Sequence, residues 1–295
     1  MARIVLIGEA MIELSQREGR WHLGYGGDTL NTAIHLAREG HEVAYLTALG
    51  DDPFSASMRQ SLEAEGLDTR MVLTHPVKTV GLYAIQTDPF GERNFTYWRE
   101  ASAARALFEL PEIDDALAQA EQADLVVFSL ISLAVLSPAG RERLLELARK
   151  VRARGAHVAF DGNYRPRLWS NWADAKIARD AAIATATIGL PTLEDETQLS
   201  GEPHADAVAA HWHGLGCAEC VVKLGAQGCR LPNGDLIAPD SVVTPVDTSG
   251  AGDAFNAGYL SARLNGRNQA EAAQAGHVKA RWTIMRPGAI PALES

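Results

Sequence analysis

The stretch "DTSGAGDAFNAG", Asp247 to Gly258, places one carboxylate directly behind Gly250-Ala251-Gly252. The run after it, Ala254 to Leu264, reads as a helix. Glycines ahead of a helix let the backbone come close to a ligand. The first amides of a helix have no partner within it, so the segment is suited to hold an anion. Asp253 then faces that anion. A carboxylate aimed at a phosphate weakens binding unless its task is to take a proton from the group that attacks the phosphate. Read this way the stretch is a strand, a phosphate-holding turn and a helix, the unit of an open α/β sheet whose ligands gather at the carboxyl ends of its strands.

Outward from this point, strand-like runs alternate with helix-like runs over most of the chain. "RIVLIG" precedes a helix from about Asp28, and "EVAYLTALG" one from about Pro53. "DLVVFS" precedes "SPAGRERLLELARKVRARG", and "HVAFDGN" a helix near Trp172 to Ala184. "ATIGL" and "ECVVKLG" follow. The order predicts right-handed crossovers and a doubly wound, mostly parallel sheet flanked by helices. "KTVGLYAIQTDPFGERNFTYWRE" breaks the alternation. It reads as a hairpin with "DPFGE" as its turn, and "MIELSQREGRWHLGYGG" is expected to add another strand or two to it. The expectation is a single domain over 1–295 with lid segments at about 12–25 and 77–100, a small β-sheet that keeps water from a reactive phosphate.

The chain has 295 residues, 46% hydrophobic and 22% charged, with a formal net charge of -10. An acidic chain with no basic stripe or interleaved aromatic-basic patch argues against a nucleic-acid partner. No basic leader or membrane-spanning apolar run is visible, which predicts no membrane association and a cytoplasmic location. Cys217, Cys220 and Cys229 are too few for a disulfide framework. Cys217 and Cys220 form a CxxC with His211 and His213 upstream. A helix over "HADAVAAHWHGLG" turns those histidines to different faces, and Cys220 opens a strand where it packs as a small hydrophobe, so zinc is disfavoured.

Two further elements carry candidate chemistry. "YGGDTLNTAIHLAREG" puts Gly27 ahead of a helix whose first turn holds Asp28 and Asn31; a merely structural helix capped by Asp28 reads the same way. "KLGAQG", Lys223 to Gly228, follows a strand and resembles half of several nucleotide-binding loops, although a tight turn also explains it. "GGDTLNTA", with Gly40 and Gly50 at the later spacing, "VVKLGAQG" and "DTSGAGD" together resemble the PfkB, or ribokinase-like, carbohydrate kinases over essentially the whole chain. Within that family "YGGDTLNTA", "YWR" at Tyr97 to Arg99 and "NYRPRLW" at Asn163 to Trp169 resemble the branch acting on the sugar acid 2-keto-3-deoxygluconate. Two positions depart from the family pattern. Thr29 stands where Gly, Ala or Pro is usual, and "TLEDE", with Thr192 at the Asn position, replaces an Asn-x-x-Glu motif associated with magnesium and phosphate.

The resemblance implies transfer of the γ-phosphoryl of ATP with Mg2+, and allows a monovalent cation near Asp247. Such transfer passes through a loose transition state, so catalysis is mainly positioning and charge stabilisation. The amides of Gly250, Ala251 and Gly252 are expected to form the anion hole and Asp253 to accept the hydroxyl proton, as a carboxylate of ordinary pKa. Nucleotide contacts are expected at Asn163, Lys223, Gly225, Gly228, Gly250 and Gly252, and sugar contacts at Gly27, Asp28 and Asn31. The metal ligands stay unassigned, with Asp195 and Glu196 as candidates acting through water. On a strand Phe95, Tyr97 and Arg99 share one face. Tyr97, Arg99 and Arg165 are therefore expected at the substrate, with Tyr83 on the other hairpin arm completing the pocket. Two guanidinium groups suit a carboxylate or phosphate, which they can bind bidentately. The partners expected are a small sugar acid and ATP, and an apolar outer lid face favours a homo-oligomer. Two rival readings remain: a kinase of an uncharged sugar, of fructokinase or ribokinase type, and a non-catalytic sugar- or nucleotide-binding protein. A dinucleotide oxidoreductase is disfavoured, since no GxGxxG follows the first strand.

Overall fold

The computed structural model describes residues 2–17, 19–87 and 93–293. Its central sheet has seven strands in the order Glu219–Cys220, Ile188–Gly189, His157–Asp161, Leu125–Ser129, Arg3–Ile7, Glu42–Gly50, Val72–His75. Every pairing in it is parallel. Parallel strands need crossovers, and the crossover helices cover both faces, which is why "LVVF" at 125–128 is apolar without alternation and fully buried. On one face Phe128 and Phe160 lie 5.3 Å apart and Phe160 stacks on Trp212 at 5.5 Å. On the other, Ile4, Leu6 and Tyr45 pack in a core shared with helices Asp28–Arg38 and Ala251–Leu264.

From Arg3–Ile7 the chain builds outward through Glu42–Gly50, then returns to place Leu125–Ser129 on the other flank of the first strand. This reversal opens a crevice at the carboxyl ends of the two strands, next to Glu9 and Ser129. The candidate site is sought there.

A separate four-stranded sheet has the order Arg20–Gly26, Met11–Arg17, Gly81–Thr87, Arg93–Trp98. Its middle pair is parallel and the two outer pairs antiparallel. The register sets Glu13 opposite Tyr83, and Tyr83 opposite Tyr97, so these three share one face. Trp21, Leu23 and Trp98 fall on the opposite face and are 50%, 57% and 59% exposed. The turn expected at "DPFGE", 88–92, lies outside the described residues.

Three elements differ from the sequence reading. No strand leads into the turn at Gly250: residues 238–250 are irregular, and the last strand before it is Leu236–Ile237. "ECVVKLG" is not one strand: Glu219–Cys220 ends the central sheet, while Val222–Lys223 joins a three-stranded antiparallel sheet with Cys229–Arg230 and Leu236–Ile237. Val72–His75, too short to show a period, adds an edge strand. The three cysteines are free and buried, and the described residues contain no cluster of three metal-ligating side chains. Among those residues no helix is long and apolar enough to cross a membrane.

Candidate active site

Two helices point their first turns at the crevice, and both begin behind glycine. Gly27 precedes Asp28–Arg38 and Gly250 precedes Ala251–Leu264, neither with a side-chain cap. By contrast the helices from Pro53, Pro138 and Trp172 are capped by Asp52, Ser137 and Asn171. The leading amides of the two glycine-started helices are thus left for a ligand. The glycines are required by the backbone. Gly250 is left-handed at φ +68, and a β-carbon there would meet Ala289 Cβ at 2.6 Å; one on Gly27 would strike the carbonyl of Glu9. Gly252 is not left-handed, and a β-carbon would only touch Lys223 Nζ at 3.6 Å. The amide of Ala251 closes back on the carbonyl of Thr248 at 3.4 Å, which leaves Gly252 and Asp253 as the leading donors of that helix.

Asp253 is buried, and Asn31 Nδ2 donates to its Oδ2 at 2.7 Å across 222 residues of sequence. Thr32 Oγ1 bonds the Asp253 carbonyl at 3.3 Å, joining the two helix starts. The ordinary pKa expected for Asp253 is corrected here. Burial, reinforced by the nearby Asp28 carboxylate, pushes it up to about 8, against the hydrogen bond from Asn31. Burial likewise raises Asp28, with Asp161 adding to the effect.

Asp28 is the first residue of its helix; Gly27, not Asp28, is the N-cap. Asn163, expected on the nucleotide side, donates to Asp28 Oδ2 at 3.2 Å and so ties the two halves of the site together. Lys223 is buried, with Nζ 3.1 Å from Asp161 Oδ1 and 3.0 Å from Asn256 Oδ1. Gly225 (φ +60) and Gly228 (φ +102) shape the turn after it.

The lid face closes over these groups. Tyr83 OH donates to Glu13 Oε2 at 2.6 Å and lies 2.5 Å from where a β-carbon on Gly26 would stand. Burial beside Glu13 raises its pKa. Tyr97 is 5.9 Å from the Tyr83 ring and stacks on Phe95 at 6.2 Å, and the Arg99 guanidinium is 5.8 Å from the Tyr97 centroid. Phe95, Tyr97 and Arg99 therefore keep the shared face beyond the strand's end at Trp98. Arg99 is buried and already paired with Glu9, while its Nε has no partner. Glu9 also accepts from Ser102 at 2.5 Å.

Arg165 follows strand His157–Asp161 at its carboxyl end, 51% exposed, with Nη1 3.1 Å from Asp195 Oδ1. Neither arginine is an unpaired fork; each carries its own carboxylate. Glu196 is corrected as a metal candidate. It is 2% exposed, paired with Arg179 at 2.5 Å and bonded by Trp212 Nε1 at 3.1 Å. Neighbouring residues on a helix diverge by about 100°, so when Asp195 faces the crevice Glu196 faces the core. Thr29, the departure from the family pattern, is 3.0 Å from the Tyr45 hydroxyl.

Sequence reasoning missed Glu9, Asp161 and Asn256. Each had a signal: Glu9 and Asp161 are acids at the carboxyl ends of apolar strands, and Asn256 is three residues after Asp253 on one helix face.

The pfkB family carbohydrate kinase model matches residues 1–295. The chain belongs to that family. The 2-dehydro-3-deoxygluconokinase of Dickeya dadantii is 44% identical, with 99% of this chain and 97% of that protein covered. The enzyme of the same name from Escherichia coli is 40% identical over 98% and 96%. Among solved structures, aminoimidazole riboside kinase from Salmonella enterica, complexed with aminoimidazole riboside and an ATP analog, superposes with a TM-score of 0.83 at 27% identity, covering 99% of this chain and 96% of that one. The kinase fold and the class of phosphoryl transfer to a sugar follow for this pfkB-family chain.

Proposed function

We propose that this kinase transfers the γ-phosphoryl of ATP to the 6-hydroxyl of 2-keto-3-deoxygluconate, giving the 6-phospho sugar acid. The observation that carries the chemistry is Asp253, buried and aligned by Asn31 at the uncapped start of a helix. The sugar hydroxyl enters beside Gly27, Asp28 and Asn31, and Asp253 takes its proton as the bond to phosphorus forms. The amides at Gly252 and Asp253 receive the transferring group at the turn Gly250-Ala251-Gly252, the Ala251 amide being turned back on Thr248, and Asn163, Lys223, Gly225 and Gly228 line the nucleotide side. Because burial holds Asp253 up to about 8, its carboxylate is a stronger base than an ordinary one once formed.

The sugar acid is supported by the names of the two relatives above and by the unpartnered Nε of Arg99 beside Tyr83 and Tyr97. That buried donor suits a carboxylate oxygen, with Arg165 on the outer side of the crevice. Mg2+ fits the residues present, since it is commonly held by one or two carboxylates together with the substrate phosphates. Asp195, drawn to the crevice by Arg165, would hold it, and the ion would shield phosphate charge.

A second reading, a kinase of an uncharged sugar, draws on the pairing of Arg99 with Glu9 and of Arg165 with Asp195, which leaves less positive charge for a ligand. ADP release measured over 2-keto-3-deoxygluconate, 2-keto-3-deoxygalactonate, gluconate, fructose and ribose separates the two. On the sugar-acid reading Arg99→Lys and Arg165→Ala each raise KM for the acid while leaving KM for ATP nearly constant. Loss of a charge-assisted desolvated contact costs about 2–5 kcal/mol, roughly thirtyfold to several-thousandfold, for the buried Arg99, and less for Arg165, which is half exposed. An unchanged preference for acid over its hydroxymethyl analogue in both variants removes the sugar-acid assignment.

A further inference from the structure

Lys223 stands at the meeting of the central sheet with the small three-stranded one. Its backbone amide bonds the Pro191 carbonyl at 2.8 Å, and its buried side chain carries the ammonium close to Gly252 and Asp253. Three residues there form a closed ring. Lys223 Nζ donates to Asp161 at 3.1 Å and to Asn256 at 3.0 Å, and Asn256 Nδ2 donates to the second Asp161 oxygen at 2.8 Å. Asp161, Asn256 and Lys223 are 6%, 2% and 7% exposed. Both amide atoms of Asn256 and both carboxylate oxygens of Asp161 are thereby occupied, so the ammonium is held in one place.

That place is behind the phosphate-holding turn. Nζ is 3.6 Å from where a β-carbon on Gly252 would lie, and Gly252 has only hydrogen there. An ammonium has three donors, and the ring takes two. The site holds Asp28, Asp161, Asp195 and Asp253, and among the described residues Lys223 is the one buried lysine. Structural neutralisation of Asp161 alone would be met by a lysine anywhere around the carboxylate. A lysine placed under Gly252 also meets the negative charge that spreads over the transferring phosphoryl.

We propose that Lys223 is a catalytic residue that donates its third N–H to the phosphoryl group in the transition state, and that Asp161 and Asn256 are positioning residues that fix it beneath Gly252. The proposal rests on the kinase reading above and sharpens it: Lys223 acts on turnover more than on nucleotide affinity. No bond to Lys223 forms or breaks. The phosphoryl leaves the β-phosphate oxygen for the sugar oxygen, the sugar proton goes to Asp253, and the lysine keeps its protons.

The test is steady-state kinetics and melting temperature for Lys223→Met, Asp161→Asn and the double variant Asp161→Asn/Lys223→Met, using whichever sugar the wild type phosphorylates best. Removing a single preorganised donor of this kind costs about 10²–10³ in kcat. Lys223→Met is expected to lose that factor, with KM for ATP changed less than about threefold. It also leaves Asp161 buried without its counter-charge and lowers Tm. The double variant removes both charges and is expected to regain Tm while kcat stays low. If the double variant regains kcat to within about tenfold of wild type, the lysine serves only to neutralise Asp161 and the proposal is overturned. A rise in KM for ATP at unchanged kcat overturns it as well, in favour of ground-state nucleotide binding. Failure of the sugar-acid reading is recognised separately, in the wild type's choice of sugar, and leaves these ratios intact.

Discussion

Asp253, the proposed base, is one carboxyl group on which folding and the proposed proton transfer make opposite demands. Its folded pKa of about 8 stands above the ordinary carboxylate value. The native state therefore holds a proton that the unfolded chain releases, and the group's contribution to stability falls as pH rises from the unfolded pKa towards about 8, then levels off. Asp253→Asn is accordingly expected to raise Tm relative to wild type at pH 8 and above, the gap closing as pH falls to about 4. The same substitution should lower kcat by about 10²–10⁴. Thermal melts from pH 4 to 9 check the first expectation, and a variant no more stable than wild type at pH 8.5 would contradict it. In the wild type, kcat/KM is expected to climb with pH, reach half its maximum near pH 8 and level off about one unit above it, because the base must be ionised in the free enzyme. The candidate for this base was legible in the sequence, since an acid behind Gly-Ala-Gly has few other uses. Its pKa was not: it depends on Asp28 and on burial, which only tertiary packing reveals.

At the scale of elements, the two glycines of the proposed phosphate-holding turn separate into different tasks. Gly250 has left-handed backbone and Ala289 packed against it, whereas Gly252 has neither. Gly250→Ala should therefore lower both Tm and activity, as expected where a side chain meets a positive φ and close backbone. Gly252→Ala should keep Tm close to wild type and lose activity, because the new methyl group lies between the helix amides and Lys223. Equal losses in the two variants would contradict this division. The helices and the parallel sheet could be read from apolar runs and their spacing, and so could the hairpin, from period-2 patterning around "GLYAIQT" and "NFTYW". The split of "ECVVKLG" could not be read. Its residues are equally apolar on both sides of Val221, and the change of sheet is made by pairing with Cys229–Arg230, set by the turn at Gly225 and Gly228. For the same reason Asp161 and Asn256 remained unassigned: each bonds a residue tens of positions away.

At the scale of the whole molecule, the lid sheet carries two unlike faces. One presents Glu13, Tyr83 and Tyr97 to the crevice; the other leaves Trp21, Leu23 and Trp98 half exposed or more. A patch of large apolar side chains on one face marks an interaction surface, and a second copy of the chain offers the same patch in return. The protein is expected to be a dimer or larger in light scattering, and Leu23→Asp with Trp98→Asp to shift it to the monomer at equal concentration; a wild-type monomer would contradict this. The crevice itself is closed from behind by the segment at Gly288 and Ala289. His35 Nε2 bonds the Ala289 carbonyl at 3.1 Å, and the Gly288 amide donates to Asp247 at 2.9 Å. Ala289 is also the residue packed on Gly250. Synthesis runs from the amino end, so Asp253 and its glycines are made well before the segment that backs them. A nascent chain halted after Leu264 already contains the residues assigned to proton transfer and phosphate binding, yet lacks the wall that holds the turn. Competence for turnover thus arrives only once the segment around Gly288 and Ala289 has left the ribosome.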